Sequence, residues 1–195
     1  DDRIRGLAFT YSGGYRVLPT TAREIHKPAD MKGLRVRTSE SEVAQETLRI
    51  LGAEPFQEWD DRKAVNLASS GWIDASETTL PRYEEYNQAA GLPVINDTQH
   101  SLLTTLVLIN ARYFKSLPKA ERDAISRAAL KMAAVERRHS VESGDRIKSE
   151  AIAKGRKVVA LTAAQQAEFV AALRPVYGKF IPRLDGFVER IQQVR

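Results

Sequence analysis

Arg35 and Arg37 stand two residues apart in the stretch DMKGLRVRTS, residues 30–39. That spacing predicts two guanidinium groups on one face of a short strand, with Leu34 and Val36 buried on the other. Gly33 ends the preceding loop and Ser39 opens a helix, so Arg37 lies at the strand's carboxyl end. Ligands of open α/β sheets bind outside those ends. A guanidinium there can fork onto a carboxylate through two parallel charge-assisted hydrogen bonds. The competing reading is an edge-strand arginine in solvent or in a structural ion pair.

Other chemistry is missing from the chain. It has no cysteine, which excludes disulfides, thiolate metal sites and cysteine nucleophiles. His26, His100 and His139 fall on a loop, near a strand start and on a long helix. None has another histidine three or four residues away and there is no HExxH, so all three read as surface or structural histidines. GxGxxG, Walker and GxSxG motifs are absent. Asp60-Asp61 and Glu84-Glu85 are adjacent pairs on helices and diverge around the axis, whereas an acid/base pair must converge across a cleft. Nothing here is a positive sign of an enzyme, a metal or a cofactor.

The elements that must position the arginines follow from composition and punctuation. The 195 residues, 43% apolar and 28% charged, can bury the core of one domain or of one and a part. There is no run of 18 apolar residues to span a membrane. Residues 1–100 carry 12 Lys/Arg against 16 Asp/Glu, and residues 101–195 carry 18 against 9. The basic half interleaves both signs, as in ERDAISRAALKMAAVERRH, which marks a solvated helix face rather than a nucleic-acid surface.

RGLAFTYS reads as a buried strand, Gly13-Gly14 as a turn, and YRVLPTT as an edge strand interrupted by Pro19. Pro28–Met31 suits one helical turn, and GLRVRT is the central strand. Ser39 or Ser41 caps a helix that Gly52 ends, and Asp60 or Asp61 caps one that Gly71 ends. WIDASET is a strand, Leu80–Ala90 a helix closed by Gly91, and LPVIND and TTLVLIN are further strands. This alternation is that of βαβ units. Pro118 then opens a helix over roughly Lys119 to Lys154, with Gly144 marking a bend. RKVVAL is a strand, Thr162 caps a helix through Phe169, Leu173 and Tyr177, and a last helix runs from about Leu184.

Three stretches taken together resemble one family: DMKGLRVR, IDASETTL, and the order LVLIN, ARYFKSLP, long Ala/Glu/Arg helix. They are similar to the DctP-type solute-binding receptors of TRAP (tripartite ATP-independent periplasmic) transporters, from about Gly6 to Phe180. The resemblance implies an α/β, periplasmic-binding-protein-like clamshell that captures organic acids in the periplasm and delivers them to a membrane permease, without enzymatic activity or cofactor. It implies that Arg37 pairs with the ligand carboxylate and that Arg16, in GGYR, is a second arginine of the cleft. The family's D-G-x-E-N-P-like loop falls on Asp74–Thr79. Glu77 is then the loop carboxylate, and Thr78 replaces the common asparagine. Trp59, with Tyr15, would offer a ring face to the ligand.

At the level of the residues, alternatives stay open. Arg16 can be solvated, Glu77 can orient an arginine, Thr78 can be a turn or cap residue, and Trp59 can be core. The resemblance also implies that residues 11–99 form one complete lobe, with 1–10 and 100–195 giving crossover strands, the long helix and part of the other lobe. The family's α/β portion before RGLAFTYS has no counterpart, so a fragment, or a second chain supplying the other half, is expected. Half a clamshell exposes apolar surface that favours an oligomer or a swapped dimer. The alternative function is a sensor or protein-interaction module built on the same lobe, without transport.

Overall fold

A single long strand, β1 (Ile4–Thr20), pairs with four others among the described residues. The computed structural model describes residues 3–180 together with Gly186, Arg190, Ile191 and Gln193. The helix expected from about Leu184 begins outside the described residues.

Two strands and a turn were expected where β1 is continuous. Its partner is β7 (Leu102–Asn110), which pairs with it on both sides of Gly13-Gly14, from Ile4↔Asn110 to Tyr15↔Leu102. The glycines are therefore a bulge and not a hairpin. Residues 11–13 are inserted opposite one residue of β7, with positive φ at Ser12, Gly13 and Gly14. Gly13 has a further reason to be glycine, because a Cβ there would lie 2.6 Å from Thr79 Oγ1.

Beyond the bulge, β1 enters a sheet with β2 (Arg35–Thr38), β3 (Glu54–Gln57), β4 (Ala75–Ser76), β6 (Val94–Asp97) and β8 (Val158–Ala160). The order is β3-β2-β4-β1-β6-β8, and β5 (Thr78–Thr79) pairs β1 separately. The β1 segment expected at an edge is thus central. Pro19 is tolerated because it falls between the Val17↔Thr78 and Thr20↔Ala75 pairings, where β1 has no ladder partner on that side. The β2–β3, β2–β4 and β6–β8 pairs are parallel, while β1 is antiparallel to all its neighbours.

WIDASET gives two short pieces, β4 and β5, instead of one strand. β4 pairs with both β2 and β1, and at Glu77 the chain leaves β2, so that β5 pairs with β1 alone.

Helices cover the sheet. α1 (Glu42–Ile50) is capped by Ser41, whose hydroxyl accepts from the Ala44 N–H. α2 is Ala64–Ser69 and α3 is Leu80–Glu85, shorter than expected because Asn87 takes a left-handed conformation at φ 48°. After α4 (Ala111–Ser116), α5 runs unbroken from Lys119 to Ala153. Gly144 does not interrupt it; the position is buried beside Leu80. α6 (Ala163–Ala172) starts with a Thr162–Gln165 capping box. The helix expected to continue through Tyr177 breaks at Leu173, because Pro175 supplies no N–H to extend it and instead suits the first turn of α7 (Arg174–Phe180).

The main core gathers Leu18, Met31, Val36, Leu48, Ala75 and Phe169 between sheet and helices. Each large side chain there contributes about 1.5–3 kcal/mol by leaving water. Buried Asn96 locks the following loop: its Oδ1 accepts from the Ile25 N–H at 2.7 Å and its Nδ2 donates to the Leu18 carbonyl at 2.9 Å. α5 packs on β1 through alanines, Ala129 and Ala133 meeting Ala8. The opposite face of the β1/β7 ribbon leaves Phe9, Leu106 and Leu108 exposed. No helix among the described residues is long and apolar enough to cross a membrane.

Candidate functional site

Glu77 lies between β4 and β5, and its carboxylate is buried where three elements meet it. From β2, the Thr38 hydroxyl donates to Oε2 at 2.5 Å. From β1, Arg16 Nη1 donates to the same oxygen at 3.1 Å. From the loop between β6 and β7, His100 Nε2 lies 3.1 Å from Oε1. The His100 ring is in turn fixed by Thr98 Oγ1, 2.7 Å from Nδ1.

Glu77 is almost wholly buried, which by itself would raise its pKa. The contacts with His100, Arg16 and Thr38 outweigh burial and hold it down at about 2. It is therefore a fixed anion, and its effect is to orient Arg16.

Arg16 reaches past Glu77 into a cavity of about 250 Å³, lined also by the N-terminal end of α1 and by α7. Its position on β1 is set by the Arg16↔Thr79 pairing and by its own N–H, which donates to the Ser101 carbonyl at 2.8 Å.

Arg37 lies behind this cavity. It is buried, and its Nε, Nη1 and Nη2 donate to the carbonyls of Glu58, Glu77 and Trp59 at 2.7, 3.1 and 2.8 Å. It also pairs with Asp61, which Arg82 holds from the other side at 2.9 Å. Burial pushes the Arg37 pKa down, against the pull of Asp61 and Glu77. Arg35 forks onto Asp74, with Nε–Oδ2 at 3.0 Å and Nη2–Oδ1 at 2.9 Å. The fork expected of Arg37 is thus made by Arg35, onto the protein's own carboxylate. That hydrogen bond is the main reason the Asp74 pKa is lowered.

The structure brings Arg16 and Glu77 to one cavity and sets the other expected residues around it. Thr78 is buried in the ladder beside Val17. Tyr15 is exposed, lining an adjacent cavity that shares His100, Leu173 and Tyr177 with the first. Trp59 is exposed over a separate cleft with Asp61, Arg82 and Tyr86, on the Arg37 side. Sequence reasoning left out His100 and Asp61. His100 has no motif around it. Asp61 looked like half of a diverging acidic pair, and only the fold separates Asp60, the cap, from Asp61, the buried partner. Among the described residues no cluster of three or more His, Asp or Glu could hold a metal ion.

Comparison with known proteins adds a family to this geometry. A profile described as "DctP: Bacterial extracellular solute-binding protein, family 7" matches residues 1–183. The C4-dicarboxylate-binding periplasmic protein DctP of Vibrio cholerae is 26% identical over 178 residues, covering 91% of this chain and 52% of that protein. A TRAP periplasmic solute binding protein from Roseobacter denitrificans, with bound β-D-glucuronate, matches with a TM-score of 0.87 at 26% identity, covering 98% of this chain and 63% of its own. Another from Bradyrhizobium sp., in complex with α/β-D-galacturonate, matches with a TM-score of 0.84 at 29% identity and the same coverage. The chain spans about half the length of the curated relatives it matches. The mixed α/β fold expected from the sequence, long helix included, is that of TRAP solute-binding proteins. The chain belongs to the DctP family of bacterial extracellular solute-binding proteins.

Proposed function

We propose that this protein captures a small organic acid in the periplasm by its carboxylate and delivers it to a TRAP membrane permease. The observation that carries the reading is the guanidinium of Arg16, oriented by a buried glutamate and facing a cavity. An arginine prepared in this way binds a carboxylate with little further ordering, and a closing cleft strengthens the pair by excluding water. The carboxylic acids bound to the Roseobacter and Bradyrhizobium proteins support the same chemistry.

Arg37 is the second arginine of the proposal. Asp61 is shared with Arg82, so Arg37 can release it without stranding a bare buried carboxylate. Trp59 and Tyr15 give ring surfaces on either side, and Thr78 holds β5 against the strand that carries Arg16. In this reading residues 11–99 form one lobe of a clamshell, and β1, β7 and α5 carry the hinge.

A thermal-shift screen of the full-length protein against organic acids tests the proposal, with calorimetry on the hits. Stabilisation by at least one carboxylate, lost in Arg16→Gln, is expected. No stabilisation by any acid would overturn it.

A further inference from the structure

The bulge of β1 is held by side chains from outside its sheet, and those side chains do not line the cavity that Arg16 faces. Residues 11–13 stand opposite a single residue of β7, so the N–H groups of Tyr11 and Gly13 fall outside the regular ladder and need other partners. α5 supplies them. The Tyr11 N–H donates to Glu136 Oε2 at 2.7 Å, and the Gly13 N–H donates to Ser140 Oγ at 3.2 Å. The Ser140 hydroxyl in turn donates to Glu136 Oε1 at 2.7 Å. Glu136 and Ser140 are one helical turn apart, on the face whose small residues Ala133 and Gly144 are buried.

α5 is itself fixed to the sheet beyond the bulge. Its Ile147 and Ala151 are buried with Val17, Leu80 and Ile95, and Lys148 Nζ donates to Asp97 Oδ2 at 3.0 Å. Packing does not replace the clamp, because a cavity of about 250 Å³ is lined by Tyr11, Gly13 and Gly14 on one side and Ser140 and Gly144 on the other. The path from the bulge to the site is short. Gly13 lies against Thr79, the ladder partner of Arg16, and Arg16 follows Gly14 by two residues. Bulges re-aim the side chains that follow them.

Resting on the reading of Arg16 as the carboxylate-binding group, we infer that Glu136 and Ser140 are positioning residues: from α5 they hold the β1 bulge, and through it they set where Arg16 meets the ligand. Their effect on affinity comes from how firmly Arg16 is placed before the ligand arrives.

Amide hydrogen exchange by NMR on the full-length protein without ligand tests this, together with calorimetry using an acid that stabilises the protein in the thermal-shift screen, D-glucuronate being the first probe. In Glu136→Ala the Tyr11 and Gly13 amides are expected to lose protection. The Arg16 amide, which donates to the Ser101 carbonyl, should exchange at least about tenfold faster, and the acid should bind about five- to tenfold more weakly. Glu136→Gln keeps an oxygen for the Tyr11 N–H and should restore most of both. Arg137→Gln cuts a different tie between α5 and β1, the bond from Arg137 Nη1 to the Phe9 carbonyl ahead of the bulge, and should leave Arg16 exchange and affinity as they were. Ser140→Ala frees only the Gly13 N–H, is expected to act in the same direction more weakly, and stands in if Glu136→Ala does not fold. Unchanged Arg16 exchange or unchanged affinity in the folded variant, or an equal effect in Arg137→Gln, would overturn this inference and leave the carboxylate reading standing. A native protein that binds no acid would overturn the carboxylate reading and this inference with it.

Discussion

Arg16 and Arg37 approach Glu77 from two different strands, β1 and β2. Arg16 is 17% exposed and makes one charged contact, at 3.1 Å, with the rest of its fork open to a cavity. Arg37 is 3% exposed, donates to three backbone carbonyls and pairs with Asp61, which takes up nearly all of its five N–H groups. Both are arginines at strand positions with the same partner nearby, and they do different work. What separates them is the number of donors the protein has already engaged. Arg37 ties the Glu58–Asp61 segment to the sheet, and Arg16 is left facing outward.

The sharpest break of that contrast is Arg37→Ala. It leaves Asp61 with Arg82 alone and removes the donor from three carbonyls, so a loss of about 3–5 kcal/mol of stability is expected in a denaturant titration. Arg16→Gln comes next. It removes a charge-assisted pair worth roughly 1.5–3 kcal/mol to a bound carboxylate, so affinity should fall about 10- to 100-fold; the melting temperature should also fall, by less than in Arg37→Ala, because Glu77 keeps Thr38 and His100.

Glu77→Gln removes the anion that orients Arg16, so the affinity for a carboxylate should fall severalfold in calorimetry. The same residue predicts a pH dependence. Its folded pKa, about 2, lies below the ordinary 4.5, so its stabilisation is complete above about pH 4.5 and is lost as pH falls through about 2. Denaturation curves of the native protein should weaken across that window more than those of Glu77→Gln. Ser41→Ala is the smallest change: loss of the α1 cap should cost about 1 kcal/mol or less.

The sequence made the local punctuation readable because local chemistry causes it. Ser41 and Thr162 cap helices, the alternation of Leu34, Val36, Arg35 and Arg37 describes β2, and Pro118 precedes a helix of 35 residues. Three features depended on partners distant in the chain. β1 runs through two glycines because β7, some 90 residues later, bridges the bulge. Pro19 sits inside a sheet because β4 and β5 leave a gap opposite it. The division of labour between Arg16 and Arg37 depends on Asp61, Arg82 and His100, none of which carries a motif. Residue types located the candidate arginines, and only the packed fold distinguished a donor in use from a donor to spare.

The central claim is that Arg16, oriented by Glu77, takes the ligand carboxylate. Calorimetric titration of a carboxylic acid that stabilises the protein in the thermal-shift screen, into the native full-length protein and into Arg16→Gln, with a melting curve of each, tests it most directly. The account predicts saturable binding to the native protein, loss of most of that affinity in Arg16→Gln, and a cooperative melting transition in both, lower in Arg16→Gln. Undiminished binding by a folded Arg16→Gln protein would contradict it.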